Sequence, residues 1–164
     1  MLWIYIVGTI VVLLGASVFF GAPYVPSRKR DMKRMFDELY PLSKDDVVLD
    51  IGSGDGIVLR EVSRRGAKAI GYEISPIFWA ISKLLSKGDK NVTVKLANMW
   101  LEPFPDDVTF IYLFAVTRDG KKLVEKIHKE KERLGRPLTV VCYGSPFAGI
   151  QPAKSFEAYH LYNF

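Results

Sequence analysis

Residues that form cross-links or bind metals are scarce in this chain of 164 residues. Cys142 is its only cysteine, and its two histidines, His128 and His160, lie far apart. One cysteine cannot form an intrachain disulfide or a cysteine-based zinc site, and the histidines lack the spacing of paired ligands. We therefore expect no metal, and any chemistry must depend on other side chains or on an organic cofactor.

Charged residues are missing from the N-terminal segment. No charge precedes Arg28, and residues 2–20 are almost wholly apolar. These 19 residues would rise roughly 28 Å as a helix, close to the thickness of a bilayer core. A signal peptide would carry basic residues before its apolar run, and a core helix of this length would carry a polar face. The pattern therefore favours a transmembrane anchor within residues 1–22, which contacts the lipid bilayer through residues 2–20.

The net charge of +5 has a local origin. Five basic residues fall within 28–34, directly after the apolar run, whereas basic and acidic residues nearly balance elsewhere. A nucleic-acid-binding protein more often spreads basic residues over a folded face, so we expect no nucleic-acid partner. Basic residues that flank a membrane span favour its cytoplasmic end. This predicts a single-pass membrane protein whose domain faces the cytoplasm, or the matrix if the membrane is mitochondrial.

The rest of the chain alternates short apolar strands with helices. Residues 23–40 form a proline-containing linker and a helix over 28–39, with Ser27 as its N-cap. Beyond residue 40 we predict strands at 47–51, 67–72, 92–96, 108–114 and 138–143, helices at 57–65, 76–86 and 120–134, and one last strand at 156–162. This alternation predicts an α/β domain over 41–164, with helices on both faces of a parallel sheet that is shortened at the C-terminus.

A glycine-rich loop follows the first predicted strand. Its sequence is Asp50-Ile51-Gly52-Ser53-Gly54-Asp55-Gly56. Glycines let the backbone turn sharply and approach a ligand closely, and the leading acid can accept hydrogen bonds from an ammonium group. The spacing is G-x-G-x-G rather than the G-x-G-x-x-G of dinucleotide-binding folds, so a nicotinamide-dependent dehydrogenase fits poorly. The alternative is a tight turn that binds no ligand.

Further candidates follow the second and third strands, at the sheet edge where ligands of parallel sheets bind. Glu73 ends the second strand, and a carboxylate there can accept both hydroxyls of a ribose. Ile74 would then lie beside the base. Asn98 and Met99 follow the third strand, where a side chain can contact an adenine. The alternatives are a surface glutamate and a turn asparagine.

Together these motifs resemble the class I S-adenosylmethionine (SAM)-dependent methyltransferases. More narrowly, the chain resembles the small membrane-anchored protein-lysine methyltransferases that modify the c-ring protein of ATP synthase and the adenine nucleotide translocase. The resemblance runs from about Pro23 to the C-terminus and includes Pro23–Ser27, Gly71-Tyr72-Glu73, Trp100 and Ser145-Pro146-Phe147. Ser27 stands in place of an expected threonine, and Asn98 in place of an expected aspartate.

The resemblance implies a Rossmann-like class I methyltransferase sheet, SAM as cofactor and a lysine of a membrane protein as methyl acceptor. The implied cofactor-binding residues are Asp50, Gly52, Ser53, Gly54, Asp55, Gly56, Glu73, Ile74, Asn98, Met99 and Phe114. An aromatic slot would lower the pKa of the acceptor lysine. The candidate substrate residues are Tyr24, Pro26, Trp100 and Tyr143, with Phe114 as a further ring of the slot. No residue is predicted to act as a general base.

Two other functions stay open at this stage. A methyltransferase of a lipid or quinone would use the anchor equally well, and a non-catalytic module could bind SAM, or nothing, and scaffold a membrane complex. The intact Asp50, glycines and Glu73 favour cofactor binding over a scaffold. The segment at the end of the fourth strand lacks the Asn/Asp-Pro-Pro-aromatic element of enzymes that methylate nucleobase amines, which argues against such an acceptor.

Overall fold

The computed structural model describes residues 3–5, 7–9 and 29–164. Most of the predicted anchor lies outside these ranges, and so do two candidate substrate residues, Tyr24 and Pro26. Within the described ranges, no helix combines the length and the apolar character that a bilayer span requires.

Helices and strands alternate from residue 29 onward. The elements are α1 (Lys29–Glu38), β1 (Val47–Ile51), α2 (Ile57–Arg64), β2 (Lys68–Glu73), α3 (Pro76–Leu85), β3 (Val92–Leu96), β4 (Phe110–Ala115), a 3-10 turn (Thr117–Asp119), α4 (Gly120–Leu134), β5 (Thr139–Gly144), β6 (Lys154–Phe156) and β7 (Tyr159–Asn163). The predicted helices and the first five predicted strands agree with these bounds to within two residues.

The strands form one seven-stranded sheet in the order β3-β2-β1-β4-β5-β7-β6. Strands β1 to β5 are parallel, and β7 lies antiparallel between β5 and β6. The strand order reverses between β1 and β4, which are hydrogen-bonded neighbours. Ligands of such sheets bind beyond the carboxyl ends of the strands at this reversal, so the fold places a crevice beside the glycine-rich loop.

Both faces of the sheet are buried, and successive residues of a strand point to opposite faces. On one face, Val48 and Phe110 pack with α1 and α2. On the other face, Leu49 and Ile111 pack with α4. Helix α1 belongs to this core because its Met35 and Phe36 are fully buried. The strands therefore consist of nearly continuous apolar runs, which is the pattern that made them recognisable in the sequence.

The prediction of a shortened C-terminus with one last strand is wrong. The segment forms a hairpin of two strands, in which Phe156 pairs with Tyr159 across the two-residue turn Glu157-Ala158. Glu157 adopts a left-handed conformation with φ 51°. Turns of this length usually contain glycine or asparagine. Glu-Ala carries no such signal, so the sequence reads as one uninterrupted strand.

The left-handed backbone at Glu157 leads to a stability prediction. A side-chain-bearing residue in this region costs about 1–2 kcal/mol, part of which a glycine loses again through its freedom in the unfolded chain. We expect Glu157→Gly to unfold with a free energy about 0.5–1 kcal/mol higher than Glu157→Ala in urea. Both variants lose the ion pair with Arg34, so that loss cancels. Equal stability of the two variants would show that this turn is unstrained.

Candidate functional site

The glycine-rich loop joins β1 to α2 and lies against the end of β2. Gly52, Gly54 and Gly56 have φ values of 76°, 54° and 77°, a region that favours glycine. The N–H groups of Gly52 and Ser53 donate to the carbonyl oxygen of Tyr72 at 2.8 and 3.1 Å. The loop is therefore fixed to the second strand and does not extend into solvent.

Glu73 holds this arrangement together from the end of β2. Its Oε2 accepts a hydrogen bond from the Gly54 N–H at 2.7 Å, and its Oε1 accepts one from the Ser75 N–H at 2.7 Å. A carboxylate oxygen has two lone pairs, so each oxygen can accept a second hydrogen bond. The carboxylate thus faces the loop and retains capacity for two hydroxyl donors.

Asp50 places a second carboxylate in the same region. It lies on β1 and is only 2% exposed. Burial, followed by the negative charges of Glu73 and Asp55, raises the pKa of Asp50 well above its ordinary value. A group with this environment favours a neighbouring cation, because a positive charge would offset both the repulsion and the desolvation.

The space around the loop is closed on one side and open on the other. A side chain at Gly71, opposite Asp50 in the sheet, would come within 2.6 Å of Leu59 and Ser53. By contrast, a Cβ built at Gly52 meets no atom within 4 Å. The Ser53 hydroxyl is buried and has no hydrogen-bond partner among the described residues. A cationic ligand with hydroxyl groups fits this combination of open backbone, unpaired hydroxyl and two acids.

Asp55 takes part in the loop's own structure. Its Oδ1 accepts the Ile57 N–H at 3.2 Å, and its Oδ2 lies 3.3 Å from Nη2 of Arg60. Arg60 also donates to the backbone oxygen of Asp55. Arg60 was not among the residues predicted from the sequence, although its position one turn into the following helix suits a contact back to the loop. Asp55 and Arg60 therefore hold the loop's shape.

The segment after β3 forms a turn. Oδ1 of Asn98 accepts the Trp100 N–H at 3.0 Å, and its backbone oxygen accepts the N–H groups of Leu101 and Glu102. Met99 and Trp100 pack against the core on the α4 side of the sheet. The Lys122 ammonium lies 4.0 Å from the centroid of the Trp100 ring. Ile74, beside Glu73, is 38% exposed.

Two of the candidate aromatic residues come together at the ends of β4 and β5. Phe114 and Tyr143 are register partners, and their ring centroids are 5.8 Å apart. Tyr143 also stacks on Tyr159 at 4.7 Å. Tyr143 packs against the face of the sheet that carries α1 and α2, whereas Trp100 packs against the other face. The structure thus groups Phe114 with Tyr143 and leaves Trp100 apart from them.

Metal-ligating side chains do not converge in the part of the chain that the structure describes. Cys142 is buried, and burial raises the pKa of its thiol to about 12. The chemistry of the crevice therefore depends on the carboxylates and the backbone of the loop, together with the aromatic pair.

Comparisons with known proteins give consistent results. A family model described as a methyltransferase domain matches residues 24–131. A lysine N-methyltransferase of Xenopus laevis, named for the C-type subunit of ATP synthase, is 26% identical over 160 residues, which cover 91% of this chain and 68% of that protein. A protein-lysine N-methyltransferase of Saccharolobus islandicus is 30% identical over 114 residues, which cover 66% of this chain and 69% of that protein.

Among solved structures, an RNA methyltransferase from Salinibacter ruber in complex with S-adenosyl-L-homocysteine has the same fold. The match has a TM-score of 0.72 and covers 85% of this chain and 92% of that chain. The sequence identity is 22%, so this match concerns the fold alone.

The buried position of Asp50 predicts opposite effects of Asp50→Asn on stability and on binding. A carboxyl group whose pKa is raised on folding favours the folded state below its unfolded pKa, and this contribution is lost as pH rises through the folded pKa. At neutral pH we therefore expect Asp50→Asn to raise the free energy of unfolding without ligand. We also expect it to weaken S-adenosylhomocysteine binding about tenfold or more, since hydrogen bonds to charged groups contribute roughly 1.5–3 kcal/mol.

Urea unfolding and calorimetric titration measure the two effects. The matched control is Asp45→Asn, which makes the same chemical change at an exposed position and should alter neither quantity. A variant Asp50→Asn that binds the ligand as tightly as the unmodified chain would remove Asp50 from the site.

Proposed function

Because the chain belongs to the methyltransferase domain family and is a SAM-dependent methyltransferase, we propose that its acceptor is a lysine of a membrane-associated protein. The observation that carries this proposal is the similarity to the Xenopus laevis lysine N-methyltransferase across 91% of the chain. The protein-lysine N-methyltransferase of Saccharolobus islandicus adds support from an archaeal relative. The acceptor and the membrane location are the parts that we infer.

Our proposal assigns the cofactor to the crevice beside the loop. Asp50 would accept hydrogen bonds from the amino group, and Glu73 would accept them from the two ribose hydroxyls through its remaining lone pairs. Gly52, with open space beside it, lets the backbone approach the ligand closely. Since Oδ1 of Asn98 already accepts the Trp100 N–H, the amide of Asn98 would act toward the adenine as a hydrogen-bond donor. That difference separates asparagine from the expected aspartate.

The reaction needs little from the protein beyond binding, alignment and exclusion of water. SAM supplies a methyl group already activated on a sulfonium, which transfers directly to the lone pair of the acceptor. A lysine has an ordinary pKa of about 10.4, so it must lose a proton before it can accept the methyl group. An apolar environment lowers a lysine pKa, and aromatic faces attract the nearby ammonium. We assign this task to Phe114 and Tyr143, at the ends of β4 and β5.

The membrane part of the proposal comes from the sequence. Residues 2–20 would span the bilayer, and the basic residues between 28 and 34 would place the domain on the cytoplasmic or matrix side. An anchor of this kind holds the crevice close to lysines that lie at the membrane surface. It would therefore raise the effective concentration of a membrane-protein substrate.

The acceptor can be identified by transfer of labelled methyl groups. The full chain is incubated with membranes and methyl-labelled SAM, the products are divided into protein and lipid, and labelled protein is examined by mass spectrometry. We expect the label on lysine side chains, and Asp50→Asn to incorporate much less of it. Label found only in lipid would replace the lysine proposal with the lipid or quinone alternative. Binding of SAM without any incorporation would favour the scaffold alternative.

The proposed role of the Tyr143 ring predicts a difference between two substitutions. Tyr143→Phe keeps the ring face and should leave KM for the protein acceptor nearly unchanged. Tyr143→Leu removes it and should raise KM about 2- to 30-fold, since cation–π contacts contribute about 0.5–2 kcal/mol. Steady-state kinetics measure KM, and calorimetry should show unchanged S-adenosylhomocysteine affinity in both variants. Equal effects of the two substitutions would contradict a role for the ring face.

A further inference from the structure

Helix α3 exposes its apolar side. Ile77, Ala80, Ile81 and Leu84 have the i, i+3, i+4, i+7 spacing of an amphipathic helix, which normally marks the face that packs on a core. Here Leu84 is 71% exposed and Ile81 is 38% exposed. The next residue, Leu85, is 52% exposed. The fully buried residue of this helix is Ser82, so the polar and apolar sides are reversed relative to the core.

The neighbouring helices show the usual arrangement. Helix α2 buries Val58, Leu59 and Val62, and α4 buries Leu123 and Ile127. Beyond residue 28, the large apolar side chains that are exposed all lie between residues 74 and 101. Contiguous exposed apolar surface of this kind marks a contact with another molecule or with a membrane.

The charges beside this stripe are positive. Lys83, Lys87 and Lys90 are exposed, and α3 contains no acidic residue. The Lys83 ammonium lies 4.9 Å from the Trp79 ring, so its aliphatic stem follows the helix surface. Asp89, the one acid within 76–101, accepts hydrogen bonds from the Ser63 hydroxyl and the Asn91 N–H. The stripe therefore suits an anionic partner.

We propose that the α3 surface, defined by Ile77, Ala80, Ile81, Leu84, Leu85, Lys83 and Lys87, lies on the anionic surface of a lipid bilayer. An exposed helix side with apolar residues flanked by lysines is the arrangement of interfacial helices, whose lysines reach the phosphate groups while the apolar residues enter the headgroup region. The stripe runs along the outside of a helix, a shape that suits a flat membrane. This contact is independent of the methyl acceptor and of the N-terminal anchor.

The proposal has a consequence for the candidate site. Helix α3 begins two residues beyond Glu73 and directly after Ser75, whose N–H donates to Glu73. A bilayer in contact with α3 would therefore hold the crevice at a fixed height and orientation above the membrane. The anchor alone, joined through a linker, would leave the orientation of the domain undefined.

A depth measurement on the full chain tests the contact. Leu84→Cys is labelled with the fluorophore NBD and reconstituted in vesicles of phosphatidylcholine and phosphatidylglycerol that contain nitroxide-labelled lipid. The native Cys142 should not react, because it is buried and its thiol pKa is raised to about 12. Glu125→Cys, at an exposed position of α4, is the matched control. We expect at least half of the fluorescence at position 84 to be quenched, and little at position 125.

The charge contribution is tested in the same samples. We expect quenching at position 84 to fall at least twofold in vesicles of phosphatidylcholine alone, and likewise when Lys83→Glu and Lys87→Glu are combined. Equal quenching at positions 84 and 125 would overturn the proposal, as would quenching at position 84 that ignores both lipid charge and lysine reversal. A blue-shifted label at position 84 that lipid nitroxides do not quench would show that protein covers α3, which also overturns it.

Discussion

The candidate site depends on two hydrogen bonds that the Glu73 carboxylate accepts from the backbone. One comes from Gly54 in the loop after β1 and the other from Ser75 before α3, each at 2.7 Å. They bring two loops together around one acid and aim its remaining lone pairs at the crevice. The neighbouring Asp50 is then buried close to a like charge, which raises its pKa and makes a cationic ligand favourable. The glycines matter because only a backbone with positive φ can bend this closely around the two acids.

The rest of the molecule positions these groups and adds the means to meet an acceptor. The reversal of strand order between β1 and β4 opens the crevice, and the register of β4 with β5 brings Phe114 and Tyr143 to its edge. Burial of α1 and α2 against one face of the sheet fixes the frame that holds the loop. In our account the cofactor site, the proposed aromatic slot and the proposed lipid-facing helix are consecutive features of one edge of the sheet.

Much of this architecture could be predicted because its signals are local. Apolar runs that end in acids and glycines fix the strands, the loop and the position of Glu73 within the fold. Contacts between distant residues could not be predicted in this way. The Glu157-Ala158 turn lacks glycine, Trp100 and Tyr143 are separated by the sheet itself, and Arg60 reaches Asp55 only once the helix has formed. The outward stripe of α3 misleads for the same reason, since helical spacing of apolar residues does not tell which side they face.

A crystal structure of the chain with S-adenosylhomocysteine bound tests the central claim most directly. Our account predicts that both ribose hydroxyls lie within about 2.6–3.2 Å of the Glu73 carboxylate oxygens. It also predicts that the Gly54 and Ser75 hydrogen bonds to Glu73 persist and that the amino group lies beside Asp50. A ligand whose sugar lies away from Glu73, or a loop that abandons Glu73 when the ligand binds, would contradict it.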